Sequence, residues 1–301
     1  MTAHEGSARD VLAKLGEGAE VVRLTGGVVN TVWLVRGPER EVVVKTTEDA
    51  PPSLFEVEAE GLGVLRRHGL TTPEVLGVGA DWLLLEAMTP RPPESDAFWE
   101  AAGRAVAALH DVRGDRFGWD DDGWLGVLPQ HNAWHDDGHE FFVEQRLLRY
   151  LREPKADAVL TAEDRDALER LCARLPEIVP AAPPSLTHGD LWHNNVVATA
   201  AGEPAFIDPA VSWTWPDVDL SMMFCGADSP ARFFDAYHEV RPLDRDWRDR
   251  MPVVFLREIL STVAHEGDRW GALVYLRDVL KPFRRSVVVD STNEAQVGTI
   301  E

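Results

Sequence analysis

Alternating apolar and polar positions dominate the first 90 residues and predict a small region rich in β-strands. Four short runs have the β-branched and aromatic content that is typical of strands. They are residues 21–24, 32–35, 41–45 and 82–86. Between the third and fourth runs, apolar residues recur at helical spacing, which predicts one helix over about residues 53–68.

Helical periodicity dominates the rest of the chain. Prolines interrupt both element types, so residues 89–93 are predicted to be a linker between two units, residues 1–88 and residues 89–301. Ser95 is placed to cap a first helix, and Thr161 with Asp164 resembles a capping box. Further helices are predicted over residues 140–151, 161–175, 218–225, 230–240, 248–265 and 270–280. The pattern therefore predicts an α+β fold with a small β-rich lobe and a larger helical lobe.

A polar loop interrupts the helical half, between a strand at residues 186–187 and a hairpin over residues 196–207. Its residues His188, Asp190 and Asn195 have the H-x-D-x-x-x-x-N spacing of kinase catalytic loops, and the hairpin returns Asp208 beside Asn195. Asp190 is thus the candidate base for a hydroxyl proton, with Asn195 and Asp208 as ligands for magnesium on ATP phosphates. The alternative is a plain loop in which Asp and Asn bond their own backbone.

The β-rich lobe offers partners for a nucleotide. Gly26, Gly27 and Asn30 lie between two predicted strands, where glycines let backbone amides approach phosphates, although an ordinary hairpin turn has the same composition. Glu86 and Met88 end the last strand before the linker, where the backbone would meet adenine and Met88 would form an apolar floor. Core packing is the alternative for Met88.

Lys45 ends the third strand, at the position of the kinase lysine that contacts phosphates. Among Glu56, Glu58 and Glu60, only Glu58 shares the apolar face of the predicted helix, with Phe55. An acid on that face is costly unless it is paired, so we predict a Lys45–Glu58 ion pair.

Composition excludes several function classes. The chain has 301 residues, 30 basic and 51 acidic, and its net charge of -21 opposes binding to nucleic acid or to an anionic membrane. Cys172 and Cys225 lie in apolar segments and are predicted to be reduced. Residues 1–10 have no secretion-signal pattern and no apolar run reaches membrane length, so a cytoplasmic location is expected.

With these parts assembled, the chain resembles the aminoglycoside-phosphotransferase-like kinases, and more narrowly the fructosamine-3-kinase (ketosamine kinase) family. Two segments are specific to that family, Pro-Gln-x-Asn-x-Trp at residues 129–134 and Phe-Phe-x-Glu-x-Arg-Leu at residues 141–147. The other segments that carry the resemblance are Gly26-Gly27 with Asn30, and residues 55–62, 117–119, 188–192, 207–211 and 219–223.

The resemblance implies a bilobal protein-kinase-like fold, the cofactors ATP and Mg²⁺, and phosphoryl transfer to a hydroxyl of a sugar-like acceptor. Residue by residue, Asp190 matches the family's catalytic base, Asn195 and Asp208 its magnesium ligands, and Lys45 with Glu58 its phosphate-anchoring pair. It also implies structural support of the catalytic loop from His188 and Asp219.

The sequence departs from the family pattern at two places. Asn194 replaces a glycine that is usual in the family. Because Asn tolerates a left-handed backbone better than most residues, the loop is still expected to form. Residues 212–217 replace a tyrosine-rich stretch and are predicted to face the acceptor.

Candidate acceptor contacts are aromatic and acidic. Aromatic rings stack on sugars, and carboxylates bind amines; core packing or a solvated surface acid is the alternative. The candidates are Trp192, His193, Trp213, Trp215 and Asp217, followed by Asp228 and Glu258. His131, His135 and His139 are spaced at four-residue intervals, but the loop around them makes a zinc site an unfavourable interpretation.

Two other functions stay open at this point, an antibiotic phosphotransferase of aminoglycoside or nucleoside type and a nucleotide-binding pseudokinase scaffold. The complete set of Lys45, Asp190, Asn195 and Asp208 counts against the scaffold. The sequence does not decide the acceptor, the hydroxyl that is phosphorylated, the choice of ATP over GTP, or the oligomeric state.

Overall fold

A computed structural model describes residues 8–24, 30–38, 40–47, 49–91, 95–227 and 229–285 of the chain. Gly26, Gly27 and Asp228, singled out above, lie outside the described residues. Among the described residues, no helix combines the length and the apolar character that a membrane span requires.

The small lobe is built on a five-stranded antiparallel sheet with the strand order β1-β2-β3-β5-β4. Its strands are β1 (Glu20–Leu24), β2 (Thr31–Arg36), β3 (Glu41–Thr46), β4 (Val75–Gly79) and β5 (Trp82–Glu86). Helix α1 (Ala8–Gly16) covers one face of the sheet and α2 (Leu54–Arg67) covers the other. The four predicted strands and the predicted helix are confirmed, whereas α1 and β4 were not predicted.

Strand β3 sends alternate side chains to opposite faces of the sheet, as a pleated strand must. Val42 and Val44 join the core under α1, and Val43 packs against the core under α2. Lys45 has the same parity as Val43 and therefore emerges on the α2 side.

The larger lobe is mainly helical and contains three two-stranded ladders. The ladders are β6 (Gly123–Leu125) with β7 (Leu128–Gln130), β8 (Ser185–Thr187) with β11 (Ser212–Thr214), and β9 (Val196–Ala198) with β10 (Pro204–Phe206). The helices are α3 (Asp96–His110), α4 (Gly138–Phe141), α5 (Pro154–Val159), α6 (Ala162–Ala173), α7 (Leu175–Ile178), α8 (Asp217–Cys225), α9 (Ala231–Val240), α10 (Trp247–Val254), α11 (Leu256–Glu266) and α12 (Ala272–Leu280). A π-helix (Phe142–Leu147) and three 3-10 turns (Leu148–Arg152, His193–Asn195 and Lys281–Phe283) complete the lobe.

Local capping signals are confirmed. The Ser95 side chain accepts a hydrogen bond from Phe98 N, and Thr161 with Asp164 forms a reciprocal capping box. Two helix predictions were partly wrong. The predicted helix over residues 248–265 is divided at Phe255 into α10 and α11, and Pro252 inside α10 leaves the preceding turn without one backbone hydrogen bond. The predicted helix over residues 140–151 is an α-turn, a π-helix and a 3-10 turn in succession.

Backbone hydrogen bonds connect the region of the lobe junction to the β9–β10 hairpin. Thr89, just after the last strand of the small lobe, exchanges backbone hydrogen bonds of 2.8 and 2.9 Å with Ala198 on β9. Phe206 N on β10 donates to Thr71 O at 2.8 Å. The β9–β10 hairpin is thereby fixed against the small lobe.

A close approach of α3 and α9 predicts that substitutions at two glycines will have different effects on stability. A Cβ at Gly103 on α3 would lie 2.2 Å from the carbonyl oxygen of Phe233 on α9, whereas a Cβ at Gly63 on α2 would only touch the end of Arg67 at 3.4 Å. We expect Gly103→Ala to lower the free energy of unfolding by about 1–3 kcal/mol. Gly63→Ala, the matched control, should raise it by about 0.5–1 kcal/mol.

Urea denaturation of both variants and the parent chain measures this difference. Equal or opposite effects of the two substitutions would contradict the close approach of α3 and α9.

Candidate active site

Strand β8 leads directly into the loop that carries Asp190, and the backbone of this loop requires glycine at position 189. Gly189 has φ 82°, and a Cβ there would lie 1.9 Å from the carbonyl oxygen of Ala210. His188 O accepts a hydrogen bond of 2.8 Å from Ala210 N. The loop is therefore pressed against the segment that follows Asp208.

A buried carboxylate accepts hydrogen bonds from the backbone of this loop. Asp219 on α8 accepts hydrogen bonds of 2.8 Å from His188 N and from Gly189 N. His110 Nε2 donates to the same carboxylate at 3.0 Å, and His110 Nδ1 lies 2.8 Å from the hydroxyl of Tyr237. Burial acts to raise the pKa of Asp219, but the hydrogen bond and charge of His110 outweigh it and lower the pKa. The carboxylate therefore stays ionised in the interior.

His188 itself is fully buried and supports the same loop. Its Nδ1 accepts a hydrogen bond of 3.3 Å from Asp190 N, and burial lowers the pKa of its imidazole. The ring therefore stays neutral and keeps an acceptor nitrogen for the backbone of Asp190.

The β9–β10 hairpin brings Asn195 and Asp208 to Asp190. Asn195 Nδ2 donates to Asp190 O at 2.8 Å and to Asp190 Oδ2 at 3.0 Å. Ile207 N donates to Asn195 O at 3.0 Å, which extends the hairpin pairing to the residue before Asp208. Asp208 adopts a left-handed backbone with φ 58°, and its side chain is 40% exposed. Its carboxylate thus has room for a ligand in the cleft.

Lys45 reaches this group from the small lobe. It is 4% exposed, and its Nζ donates to Glu58 Oε1 at 2.5 Å and to Asp208 Oδ1. Burial acts to lower the pKa of Lys45, but attraction by Asp208 and Glu58 outweighs it and raises the pKa. The predicted Lys45–Glu58 pair is present, and the same ammonium group contacts the hairpin of the other lobe.

Asp190 has an unusual electrostatic environment for an aspartate. Burial raises its pKa most, and repulsion by Glu258 raises it further, while Arg257 acts in the opposite direction. Both residues come from the first turn of α11. Sequence reasoning placed Glu258 only as a secondary acceptor candidate and overlooked Arg257.

On the nucleotide side, Asn30, Glu86 and Met88 lie within the described residues. Asn30 Oδ1 accepts a hydrogen bond from the hydroxyl of Thr47. Glu86 is exposed, and its carboxylate accepts from Glu74 N at 3.1 Å. Met88 is half-buried directly before Thr89, the residue that pairs with β9.

The acceptor-side predictions have mixed outcomes. The prediction that Trp215 contacts the acceptor was wrong. It is 1% exposed and packs in the core with its ring 5.5 Å from Phe142 and 5.0 Å from His139. Asp217 pairs with Arg250 and is only 14% exposed, so its carboxylate already has a cationic partner.

The other aromatic candidates stay at the surface. Trp192 and His193 are half-buried beside each other in the catalytic loop, with ring centroids 5.4 Å apart. Trp213 lies beside Trp119, with ring centroids 6.0 Å apart and ring planes tilted by 34°. It also lines a surface cavity of about 360 Å³ that does not include Asp190 among its lining residues.

The two family-specific segments form one buried network, which sequence reasoning did not foresee. Arg146, 1% exposed in the π-helix, donates to Asn132 Oδ1 at 2.7 Å and to Ser212 Oγ at 3.2 Å. Arg257 Nη2 donates to Gln130 Oε1 at 2.9 Å. Burial and repulsion by Arg257 lower the pKa of Arg146 to about 9. The sequence signal that could have indicated this network is the pair of cationic side chains, Arg146 and Arg257, in segments that are otherwise predicted to pack in the helical lobe.

Asn194 takes part in the loop differently from the expectation. It lies in the 3-10 turn His193–Asn195 and is not among the described residues with positive φ. The left-handed explanation was therefore wrong: this 3-10 turn places no demand for glycine at position 194.

The carboxylate of Asp219 predicts a pH-dependent stability. Because its pKa is lowered in the folded protein, Asp219 stabilises the fold above the pKa of an unfolded aspartate, about 4. This contribution is lost as the pH falls through the lower folded value. We expect Asp219→Asn to reduce the free energy of unfolding by about 3 kcal/mol at pH 7, and the difference from the parent chain to shrink as the pH approaches 4 and below.

Urea denaturation across this pH range measures the effect, with Asp111→Asn as the control. Asp111 is 57% exposed in a surface pair with Arg241 and should contribute at most about 1 kcal/mol. A pH-independent difference for Asp219→Asn would contradict the proposed ionised state.

Comparison with known proteins places these features in a family. The family model described as fructosamine kinase matches residues 6–275. A probable ketoamine kinase of Escherichia coli K12 is 34% identical over 257 residues, which cover 82% of this chain and 88% of the relative. A probable ketoamine kinase of Thermus thermophilus is 33% identical over 270 residues, 87% of this chain and 95% of the relative.

Solved structures agree with this relationship. A crystal structure from Thermobifida fusca that carries the name fructosamine-3-kinase has a TM-score of 0.81 and 31% identity, and covers 92% of this chain and 99% of its own. A macrolide 2'-phosphotransferase of Brachybacterium faecium has a TM-score of 0.59 at 15% identity over 91% of this chain and 97% of its own, which shows the shared kinase-like fold alone. The chain belongs to the fructosamine kinase family.

Proposed function

We propose that the protein is an ATP-dependent kinase that transfers the γ-phosphoryl group of ATP to a hydroxyl of a ketoamine, a conjugate of a sugar and an amine. The observation that carries this proposal is the convergence of Lys45, Asp190, Asn195 and Asp208 on one cleft between the lobes. The names of the ketoamine kinase relatives supply the acceptor class.

In this proposal Asp190 accepts the proton of the attacking hydroxyl. Asn195 uses its amide nitrogen on Asp190, which leaves the amide oxygen for a ligand. Lys45 offers a fixed positive charge at the position where the phosphates would lie. Phosphoryl transfer depends mainly on such positioning and charge stabilisation, so no covalent intermediate is required.

The oxygen donors of Asn195 and Asp208 fit Mg²⁺, which is commonly held by one or two carboxylates together with substrate phosphates. Bound there, Mg²⁺ would neutralise charge that develops on the transferring phosphoryl group. Among the described residues no cluster of three or more His, Cys, Asp or Glu side chains offers an all-protein metal cage. A site shared between the protein and ATP is the arrangement that this donor set favours.

The nucleotide contacts of Gly26, Gly27, Asn30, Glu86 and Met88 remain part of the proposal. So does the division into a nucleotide-binding lobe over residues 1–88 and a catalytic and acceptor-binding lobe over residues 89–301.

We also propose a cytoplasmic location, because Cys172 and Cys225 are free thiols.

Loss of the Asp190 carboxylate should separate chemistry from nucleotide binding. We expect Asp190→Asn to lower kcat for ketoamine phosphorylation by about 10²-fold or more, while the Kd for ATP changes little, because a general base acts only on the hydroxyl. Asp235→Asn, an exposed aspartate on α9, is the matched control and should keep parental activity.

Coupled ADP release with a ketoamine prepared from glucose and an alkylamine, together with equilibrium ATP binding, measures both quantities. ATP binding without turnover by the parent chain, on ketoamines and on an antibiotic panel alike, would contradict the kinase assignment and favour a scaffold.

A further inference from the structure

The first turn of α11 is fastened to the catalytic loop by buried hydrogen bonds. Arg257, 2% exposed, donates to Gln130 Oε1 at 2.9 Å. Gln130 Nε2 donates to Ala210 O at 3.0 Å, and Ala210 N donates to His188 O at 2.8 Å. The position of α11 relative to the loop that carries Asp190 is therefore fixed by three hydrogen bonds in series.

Glu258 follows Arg257 in the first turn of α11, and 27% of its side chain is exposed. Its Oε2 is shielded from solvent and has no hydrogen-bond partner among the described residues. Arg257 Nη1 lies 3.8 Å from this Oε2 atom, which is beyond hydrogen-bond distance. A shielded carboxylate oxygen without a donor is costly unless a ligand supplies one.

Neighbouring carboxylates differ from Glu258 in this respect. Asp208 accepts from Lys45, Asp217 from Arg250, and Asp219 from two backbone amides. Among the described residues, Glu258 is the one carboxylate with a solvent-shielded oxygen that lacks a donor. Glu258 follows the residue that fastens α11 to the segment beside the catalytic loop, and its charge raises the pKa of Asp190, which indicates that the two carboxyl groups lie close to each other.

We propose that Glu258 determines acceptor specificity by binding the protonated amine of the substrate while Asp190 receives the hydroxyl. This inference rests on the proposed kinase function. A ketoamine carries an ammonium group a few bonds from its sugar hydroxyls, so one molecule offers a cationic donor for Glu258 and a hydroxyl for Asp190. A charge-assisted hydrogen bond of this kind distinguishes an amine from a neutral isostere of the same shape.

The test compares two acceptors on matched variants. The first acceptor is an N-alkyl ketoamine prepared from glucose and an alkylamine, and the second is the 1-O-alkyl fructose in which an ether oxygen replaces the nitrogen. We expect Glu258→Gln to raise the KM for the ketoamine by about 10- to 100-fold, with the KM for ATP unchanged. The KM for the ether should stay the same, so the preference for the amine disappears.

Glu266→Gln, on the same helix in a surface pair with Arg269, is the control and should keep the preference. Glu258→Asp retains the negative charge and should keep part of the preference for the amine. An equal loss on both acceptors would indicate a structural role and would overturn the inference, as would an unchanged preference.

A measurement on the parent chain covers the case in which the variants do not fold. A non-phosphorylatable deoxy analogue of the ketoamine should inhibit more strongly than its ether counterpart by a similar factor, and equal inhibition would overturn the inference. Absence of any ATP-dependent ketoamine phosphorylation by the parent chain would instead contradict the proposed function itself.

Discussion

A single buried ammonium group joins the two lobes at the point where chemistry is proposed. Lys45 lies on the α2 face of the sheet and contacts Glu58 within its own lobe and Asp208 across the cleft. Because a buried cation is costly without compensation, both carboxylates are needed to keep it charged. The contact with Asp208 thereby connects the sheet to the hairpin across the cleft. The small-lobe sheet, α2 and the β9–β10 hairpin all serve to hold these three side chains together.

The second constraint is the buried carboxylate beneath the catalytic loop. Asp219 accepts hydrogen bonds from both backbone amides that the tight turn at Gly189 directs inward, and another from His110 Nε2. These hydrogen bonds fix the main chain without using the side chain of Asp190. In the proposed mechanism, the fixed backbone holds that carboxylate where it accepts the hydroxyl proton. Preorganisation of this kind is what positioning catalysis requires.

Sequence reasoning was most successful where one local period decides the outcome. The kinase-like position of Lys45 at the end of β3 and the apolar face of α2 were enough to predict the pairing of Lys45 with Glu58. It was least successful where long-range packing decides. Trp215 is buried because α4 and the π-helix cover it, and nothing in its neighbouring residues indicates that cover. The donor-free oxygen of Glu258 likewise depends on how α11 is fastened to a segment more than a hundred residues away.

The most direct test of one shared centre is a double-mutant cycle between the lobes. Lys45→Met and Asp208→Asn are made singly and together, and kcat/KM for ATP is measured in saturating ketoamine. If both side chains act on one triphosphate, their losses are strongly non-additive, and the double variant is hardly worse than the poorer single variant. Losses that simply multiply would show that Lys45 and Asp208 act independently, which would contradict a common phosphoryl-transfer site.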